Sequence, residues 1–152
     1  MSEENVGIVR ACLQAFQRGD YETAIEAFDP EIEYDLRVFP DGKVYRGHDG
    51  VREAFRIWLG TWEDYRQEVD EIIDTPGDEV IVLVREFGRG KGSGIEVERP
   101  TAGMWTLRDR KAVRIRFYPD RESALGALDV GEPLSRVRPT TEGERRAGDG
   151  PI

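Results

Sequence analysis

The chain has 152 residues, of which 38% are hydrophobic and 35% charged, values typical of one globular domain. Its formal net charge of −9 argues against nucleic acid as a partner, because phosphates repel an acidic chain. No apolar run approaches the roughly 20 residues that a membrane-spanning helix needs. One cysteine and one histidine exclude an internal disulfide and an ordinary zinc site, so we expect no metal or other cofactor, although carboxylates alone could still bind Mg²⁺ or Ca²⁺.

The first residues, MSEENVGIVR, lack the basic and apolar regions of a secretory signal, and we expect a cytoplasmic protein. Apolar residues recur at spacings of three and four over residues 3–18, which predicts an amphipathic helix. Gly19 suits the left-handed position after a helix end, and Asp20 can cap a second, shorter helix. Asp29-Pro30 ends that helix, because proline disfavours the helical conformation of the preceding residue.

Apolar and polar residues alternate over residues 31–39, which predicts a strand with Asp35 and Arg37 on its polar face. Pro40-Asp41-Gly42 is typical of a turn. A third amphipathic helix is predicted from Gly47 to Leu59, and we expect it to pack on the same core as the first two.

Strands follow in the second half of the chain. Residues 62–74 form a long mixed run, and the continuous apolar block within residues 79–87 predicts a strand buried on both faces. A further strand is predicted at residues 95–99, with a bulge or break at Pro100. Two alternating runs within residues 104–118 predict an antiparallel hairpin.

GRGKGSG at residues 88–94 has strands on both sides and therefore predicts a hairpin loop, not a phosphate-binding loop. A last short helix is predicted at residues 120–128. Residues 129–152 lack an apolar period, which predicts a domain at 1–128 followed by a largely unpacked tail at 129–152.

Three stretches resemble, in order, the SnoaL-like branch of the NTF2-like superfamily: VRACLQAFQRGDYETAIEAFDPEIEYD, YRGHDGVREAFRIWL and WTLRDRKAVRIRFYPDRESALGAL. The resemblance covers about residues 6–128. It implies an α+β cone in which a curved mixed or antiparallel sheet wraps around N-terminal helices and encloses an apolar cavity for small molecules. It also implies a homodimer formed through the outer face of the sheet.

Resemblance to the ketosteroid isomerases of this superfamily places Asp35 at the strand position of their general base. A carboxylate beside Tyr34 in an apolar cone could have its pKa raised toward such use. The alternative is a salt bridge that lowers the pKa of Asp35, with a partner among Arg37, Arg85, Arg99 and Arg116. Those isomerases also use an oxyanion-stabilising tyrosine and a protonated aspartate, and the resemblance places Cys12 and approximately Gly103 at these two positions. Neither side chain can donate a strong hydrogen bond, so the steroid isomerase reaction is disfavoured.

The same resemblance turns the face of the last strand that carries Arg116 and Tyr118 toward the cavity. With Asp35 they could bind an anionic or enolic ligand, with Tyr118 as proton donor. In the alternative interpretation Arg116 only neutralises Asp35. Further candidate ligand-binding residues are Tyr34, His48, Trp58, Arg85, Arg99 and Trp105. Arg89 and Lys91, in the loop at residues 88–94, could fold over the mouth of the implied cavity as a lid.

The single histidine and the single cysteine are residue types that often act in catalysis, but each also has a purely structural interpretation. His48 precedes the third helix, where the imidazole would be neutral, or it is simply a capping or surface residue. Cys12 lies on a helix stripe and is interpreted as a core thiol.

The leading hypothesis is a protein that binds a small apolar or amphipathic molecule, with acid–base isomerase, cyclase or dehydratase activity centred on Asp35. The competing hypothesis is a non-catalytic ligand-binding or dimerisation module of the same fold.

Overall fold

Four helices and six strands make up the computed structural model, which describes residues 2–129. The elements in chain order are α1 (Ser2–Gln17), α2 (Tyr21–Ile25), β1 (Phe28–Asp35), β2 (Val44–Arg46), α3 (Gly47–Thr61), β3 (Trp62–Asp74), β4 (Glu79–Gly90), β5 (Glu96–Arg108), β6 (Lys111–Tyr118) and α4 (Arg121–Asp129). The predicted tail at 129–152 lies outside the described residues, apart from residue 129 at the end of α4.

The strands form one mixed sheet in the order β2-β1-β6-β5-β4-β3. Only the β1–β6 pair is parallel among these neighbours. Helices α1, α2 and α3 cover one face, and α4 packs on part of the other. The predicted α+β class, with N-terminal helices against a curved mixed sheet, is confirmed.

The apolar block of β4 is buried on both faces, as predicted. Val80 and Val82 pack into the large core with the N-terminal helices, whereas Ile81 packs into a second cluster with Ala124 of α4. Successive side chains of a strand point to opposite faces, so one continuous apolar run serves both cores.

The predicted hairpin is formed by β5 and β6, with Trp105 opposite Ile115. Its two-residue turn places Asp109 at φ 50° and Arg110 at φ 67°. Two successive residues with positive φ give the turn a twist that matches the right-handed twist of the strands.

Three predicted boundaries are wrong. The second helix ends at Ile25, and Asp29-Pro30 lies within β1 and not at the helix end. The first strand runs over Phe28–Asp35 and not over residues 31–39, and its pairing with β6 is irregular around Pro30. Pro100 does not break β5, which stays in register with β4 through the Arg85–Pro100 pair. Pairing of β5 with β6 starts only at Ala102. At Pro100 this edge of β5 therefore has no neighbouring strand, and the missing N–H of Pro100 can lie on that free edge.

Candidate functional site

A cavity of about 100 Å³ lies between the N-terminal helices and the sheet, and we call it the main cavity. Most of its wall is aromatic or aliphatic. Its aromatic residues include Phe16, Tyr34, Phe55, Trp58, Trp105 and Phe117. Edge contacts hold these rings, with the Tyr34 centroid 5.5 Å from that of Phe117 and 6.0 Å from that of Phe55. The aromatic packing gives the cavity an apolar interior.

One carboxylate lies in the wall of this apolar space. Glu86 of β4 is 9% exposed. Its Oε2 accepts a hydrogen bond of 2.7 Å from the Tyr65 hydroxyl. Its Oε1 accepts bonds from Arg99 Nε at 3.1 Å and Thr101 Oγ1 at 3.0 Å. Three donors, one of them on a charged side chain, satisfy the hydrogen-bonding capacity of this buried carboxylate.

Sequence reasoning missed Glu86, although a signal for it existed. Val82, Val84 and Glu86 follow one another at a spacing of two along β4, and all three line the main cavity. A charged residue that continues the inward face of a buried strand is a candidate for a buried polar group.

Two tyrosines add hydroxyl groups to this end of the cavity. Burial raises the pKa of both Tyr34 and Tyr65, and the negative charge of Glu86 raises each pKa further. Gln67 Nε2 donates to the Tyr65 hydroxyl at 3.3 Å. Both phenols are therefore protonated around neutral pH, and the Tyr65 proton is donated to Glu86.

Asp35, Arg116 and Tyr118 lie near one another, but none of them lines the main cavity. The cavity is lined instead by their neighbours in sequence, Tyr34 of β1 and Ile115 and Phe117 of β6. The face predicted for Arg116 and Tyr118 was therefore wrong by one residue. A one-residue shift of register moves every side chain of a strand to the opposite face.

The Asp35 carboxylate, 4% exposed, is held mainly by Arg37. Arg37 donates from Nε and from its backbone N–H to Oδ1 at 3.0 Å each, and from Nη2 to Oδ2 at 2.7 Å. Arg116 Nε is 3.7 Å from Oδ2. Burial by itself raises the pKa of Asp35, but the bonds from Arg37 and the charge of Arg116 outweigh it, and the pKa is lowered. A lowered pKa makes Asp35 a weak base.

The remaining predicted residues divide into two groups. Tyr34, Trp58 and Trp105 line the main cavity, and Arg99 contacts it through Glu86. Arg85 does not line the cavity and pairs with carboxylates of the neighbouring strands, at 3.2 Å to Asp70 and 3.5 Å to Glu98.

His48 and Cys12 have structural contacts. Nε2 of His48 donates to the Phe28 carbonyl at 2.8 Å, which ties the start of α3 to β1. Cys12 lines the cavity, but its thiol donates to the Ala24 carbonyl at 3.3 Å, and burial raises its pKa to about 12. A protonated buried thiol is a poor nucleophile.

The predicted lid over the cavity is absent from the described residues. Arg89 pairs with Asp64 at 2.7 Å and Glu63 at 3.3 Å, which holds it along the edge strand β3. Within residues 2–129, no group of three or more His, Cys, Asp or Glu side chains is placed to hold a metal ion.

A family model described as a SnoaL-like domain matches residues 9–115. No curated protein matches the chain. Among solved structures, an NTF2-like protein from Burkholderia thailandensis is 27% identical, over 82% of this chain and 96% of that one, with a TM-score of 0.70. TerC, co-crystallised with polyporic acid, is 22% identical over 83% and 98%, with a TM-score of 0.67. A putative SnoaL-like polyketide cyclase from Jannaschia is 20% identical over 84% and 92%, with a TM-score of 0.66.

Proposed function

The chain belongs to the SnoaL-like domain family, and from that premise we propose that it binds a small, mostly apolar aromatic molecule in the main cavity. The observation that carries the proposal is an aromatic cavity whose wall contains one buried, fully hydrogen-bonded carboxylate, Glu86. Ligand sites of proteins combine apolar walls with a few placed polar groups in this way.

The size of the main cavity limits the ligand. An apolar cavity of roughly 150 Å³ in another protein binds benzene, and ligand pockets usually measure about 300–1,000 Å³. At about 100 Å³, the main cavity suits one ring, and a larger ligand must displace part of the wall. TerC, with polyporic acid, gives a precedent for a small organic ligand in a protein of similar fold.

For any acid–base chemistry, we assign the proton-transfer group to Glu86. Asp35 was the predicted base, but its side chain is committed to Arg37 and is directed away from the main cavity. The Glu86 carboxylate lines the cavity and could accept a proton from a carbon next to a carbonyl, while the Tyr34 hydroxyl donates a hydrogen bond. Isomerisation and cyclisation both require such a step.

The second candidate function is non-catalytic binding in the same cavity. The observation in its favour is that the Glu86 carboxylate already accepts hydrogen bonds from three side chains of the protein, so both of its oxygens are committed to the fold. The catalytic alternative would be supported if the wild type converts a bound ligand, and if Glu86→Gln abolishes that conversion but still binds the ligand with the wild-type affinity.

The proposal is tested by filling the main cavity. Gly103 of β5 lines it, and an added Cβ would meet only ordinary contacts, at 3.4 Å from Trp105 and 3.5 Å from Phe117. We expect Gly103→Leu to fold and to lose binding of a single-ring probe, acetophenone, by tenfold or more. Gly60→Ala in α3, where no atom lies within 4 Å of the new Cβ, is the matched control.

Methyl NMR gives the measurement. On titration with acetophenone, the methyl signals of the cavity residues Val82, Val84 and Ile115 should shift in the wild type and in Gly60→Ala. The Ile81 methyl signals, which belong to the opposite core cluster, should stay in place. Equal shifts in Gly103→Leu, or no shifts at all, would contradict the proposal.

A homodimer through the outer face of the sheet and a cytoplasmic location stay predictions. No helix within residues 2–129 is long and apolar enough to cross a membrane. Sedimentation of the full chain at several concentrations measures the oligomeric state directly.

A further inference from the structure

A second, much smaller cavity of about 10 Å³ lies beside the main cavity, and we call it the side cavity. Its wall includes Trp62 at the start of β3 and Arg99 of β5. It shares Trp58, Tyr65 and Glu86 with the main cavity. The two cavities therefore adjoin each other at these shared residues.

Two hydrogen-bond donors in the wall of the side cavity are unused. Arg99 Nη2 and Trp62 Nε1 are both buried, and neither has a hydrogen-bond partner among residues 2–129. Buried polar atoms are nearly always hydrogen-bonded, and each exception asks for an explanation. Because both residues line the same small cavity, their unused donors point to an acceptor group bound there.

The position of Arg99 is fixed. Its Nε donates to Glu86 at 3.1 Å, and its guanidinium carbon lies 4.9 Å from the Phe39 ring centroid and 5.1 Å from that of Trp58. A guanidinium held by one ion pair and two ring faces is preorganised to present its remaining N–H groups.

The local charge selects the kind of acceptor. The positive charge of Arg99 is already paired with the Glu86 carboxylate, so the pair has no net charge. A carboxylate placed in the side cavity would come close to Glu86 and be repelled by it. A neutral carbonyl oxygen uses both donors without that repulsion.

We infer that the side cavity binds the carbonyl oxygen of a neutral aryl ketone, or of a related carbonyl compound, whose ring occupies the main cavity. This inference rests on the proposed function, because the ring needs the main cavity. It names the chemical class of the ligand, and it gives Arg99 and Trp62 the role of recognising the carbonyl group.

Three probes of nearly the same shape separate the oxygen from the ring. Acetophenone carries a carbonyl group, α-methylstyrene replaces its oxygen with a methylene group, and benzoate carries a carboxylate. Their dissociation constants are measured by calorimetry or methyl NMR on the full chain. In the wild type, acetophenone should bind best of the three, and the ratio of the α-methylstyrene constant to the acetophenone constant is the readout.

Two conservative variants remove one donor each. Trp62→Phe removes the indole N–H and keeps an aromatic ring, and Arg99→Lys keeps a charge for Glu86 but removes Nη2. Each should reduce the ratio roughly 2- to 10-fold, which is the effect of one hydrogen bond, and leave the α-methylstyrene constant nearly unchanged. Arg66→Lys is the matched control, because the Arg66 guanidinium also stacks on a ring, that of Phe87 at 4.0 Å, but lines neither cavity.

The outcomes are distinct. The proposed function fails if no probe binds the wild type, or if Gly103→Leu binds the probes as tightly as the wild type does. If α-methylstyrene binds as tightly as acetophenone, or if both variants keep the wild-type ratio, the main cavity stands and the carbonyl site is wrong. Preferred binding of benzoate would overturn the choice of a neutral ligand.

Discussion

Asp35 and Glu86 are both buried carboxylates, and their partners give them different roles. Asp35 is held by Arg37, the residue two positions along the chain, on the face of β1 away from the main cavity. Glu86 is held by side chains of β3 and β5, so its position depends on the assembled sheet. The first pair stabilises the end of a strand, and the second places a carboxylate in the wall of the main cavity.

The Asp35 pair predicts a pH-dependent stability. Folding lowers the pKa of Asp35 below its unfolded value of about 3.9, so the pair stabilises the fold above that pH. The stabilisation is lost as the pH falls through the folded pKa. Asp35→Asn should therefore lower the free energy of unfolding by about 1–2 kcal/mol at pH 7, a range that allows for the solvent exposure of Arg37, and by much less near pH 2.

Urea denaturation at both pH values measures this difference. Asp70→Asn is the control, because the Asp70–Arg85 pair at 3.2 Å is exposed on both sides and should contribute less than about 1 kcal/mol. A loss in Asp35→Asn that is the same at both pH values would show that packing, and not charge, carries the effect.

At the level of elements, the β5–β6 hairpin depends on the conformation of its two turn residues. Asp109 has φ 50°, which a β-branched residue adopts only with strain. Asp109→Val should lower the free energy of unfolding by about 1–2 kcal/mol. Arg108→Val, one residue earlier at an exposed strand position, should change it by less than about 0.5 kcal/mol.

Thermal and chemical denaturation of the two variants provides the comparison. Because both changes place the same side chain on the surface, exposed hydrophobicity cancels between them. Equal losses would mean that the turn conformation is not a constraint on the hairpin.

Elements with a strong period could be predicted from the sequence, and their ends and faces could not. The hairpin around Trp105 and the doubly buried β4 follow from local alternation alone. The start of β1 at Phe28 depends on pairing with Ala112 of β6, a contact far away in sequence. The inward face of β6 required the register with its neighbours, so Arg116 was placed on the wrong side.

The candidate site shows the same division. Tyr34, Trp58 and Trp105 were predicted as cavity residues from aromatic character and resemblance, and they line the main cavity. The cluster around Glu86 draws its donors from strands that meet only in the folded sheet. No pattern within a single segment connects Tyr65 to Arg99.

For the whole molecule, the connection between β1 and β2 forms part of the wall of the main cavity. Leu36 and Phe39 of this connection line the cavity. Phe39 packs against Trp58, with ring centroids 5.6 Å apart, and against Phe117 at 6.0 Å. One side chain therefore joins the connection, α3 and the sheet, and its ring closes this part of the cavity wall.

Phe39→Ala should widen the range of ligands. Removal of the ring adds space next to the main cavity, so a two-ring probe, 2-acetylnaphthalene, should bind at least tenfold more tightly than it binds the wild type. Acetophenone should bind somewhat more weakly, since it loses contacts with the ring. The free energy of unfolding should fall by about 1–2 kcal/mol, less than for a fully buried phenylalanine, because Phe39 is half-buried.

Val38→Ala is the control on the same connection, because Val38 is 41% exposed and lies outside the cavity wall. Its affinities for both probes should match those of the wild type. If 2-acetylnaphthalene binds the wild type and Phe39→Ala equally well, the size of the ligand is set elsewhere, and the wall formed by α3 and the sheet must yield instead. A selective gain in Phe39→Ala would assign the size limit of the main cavity to this one ring.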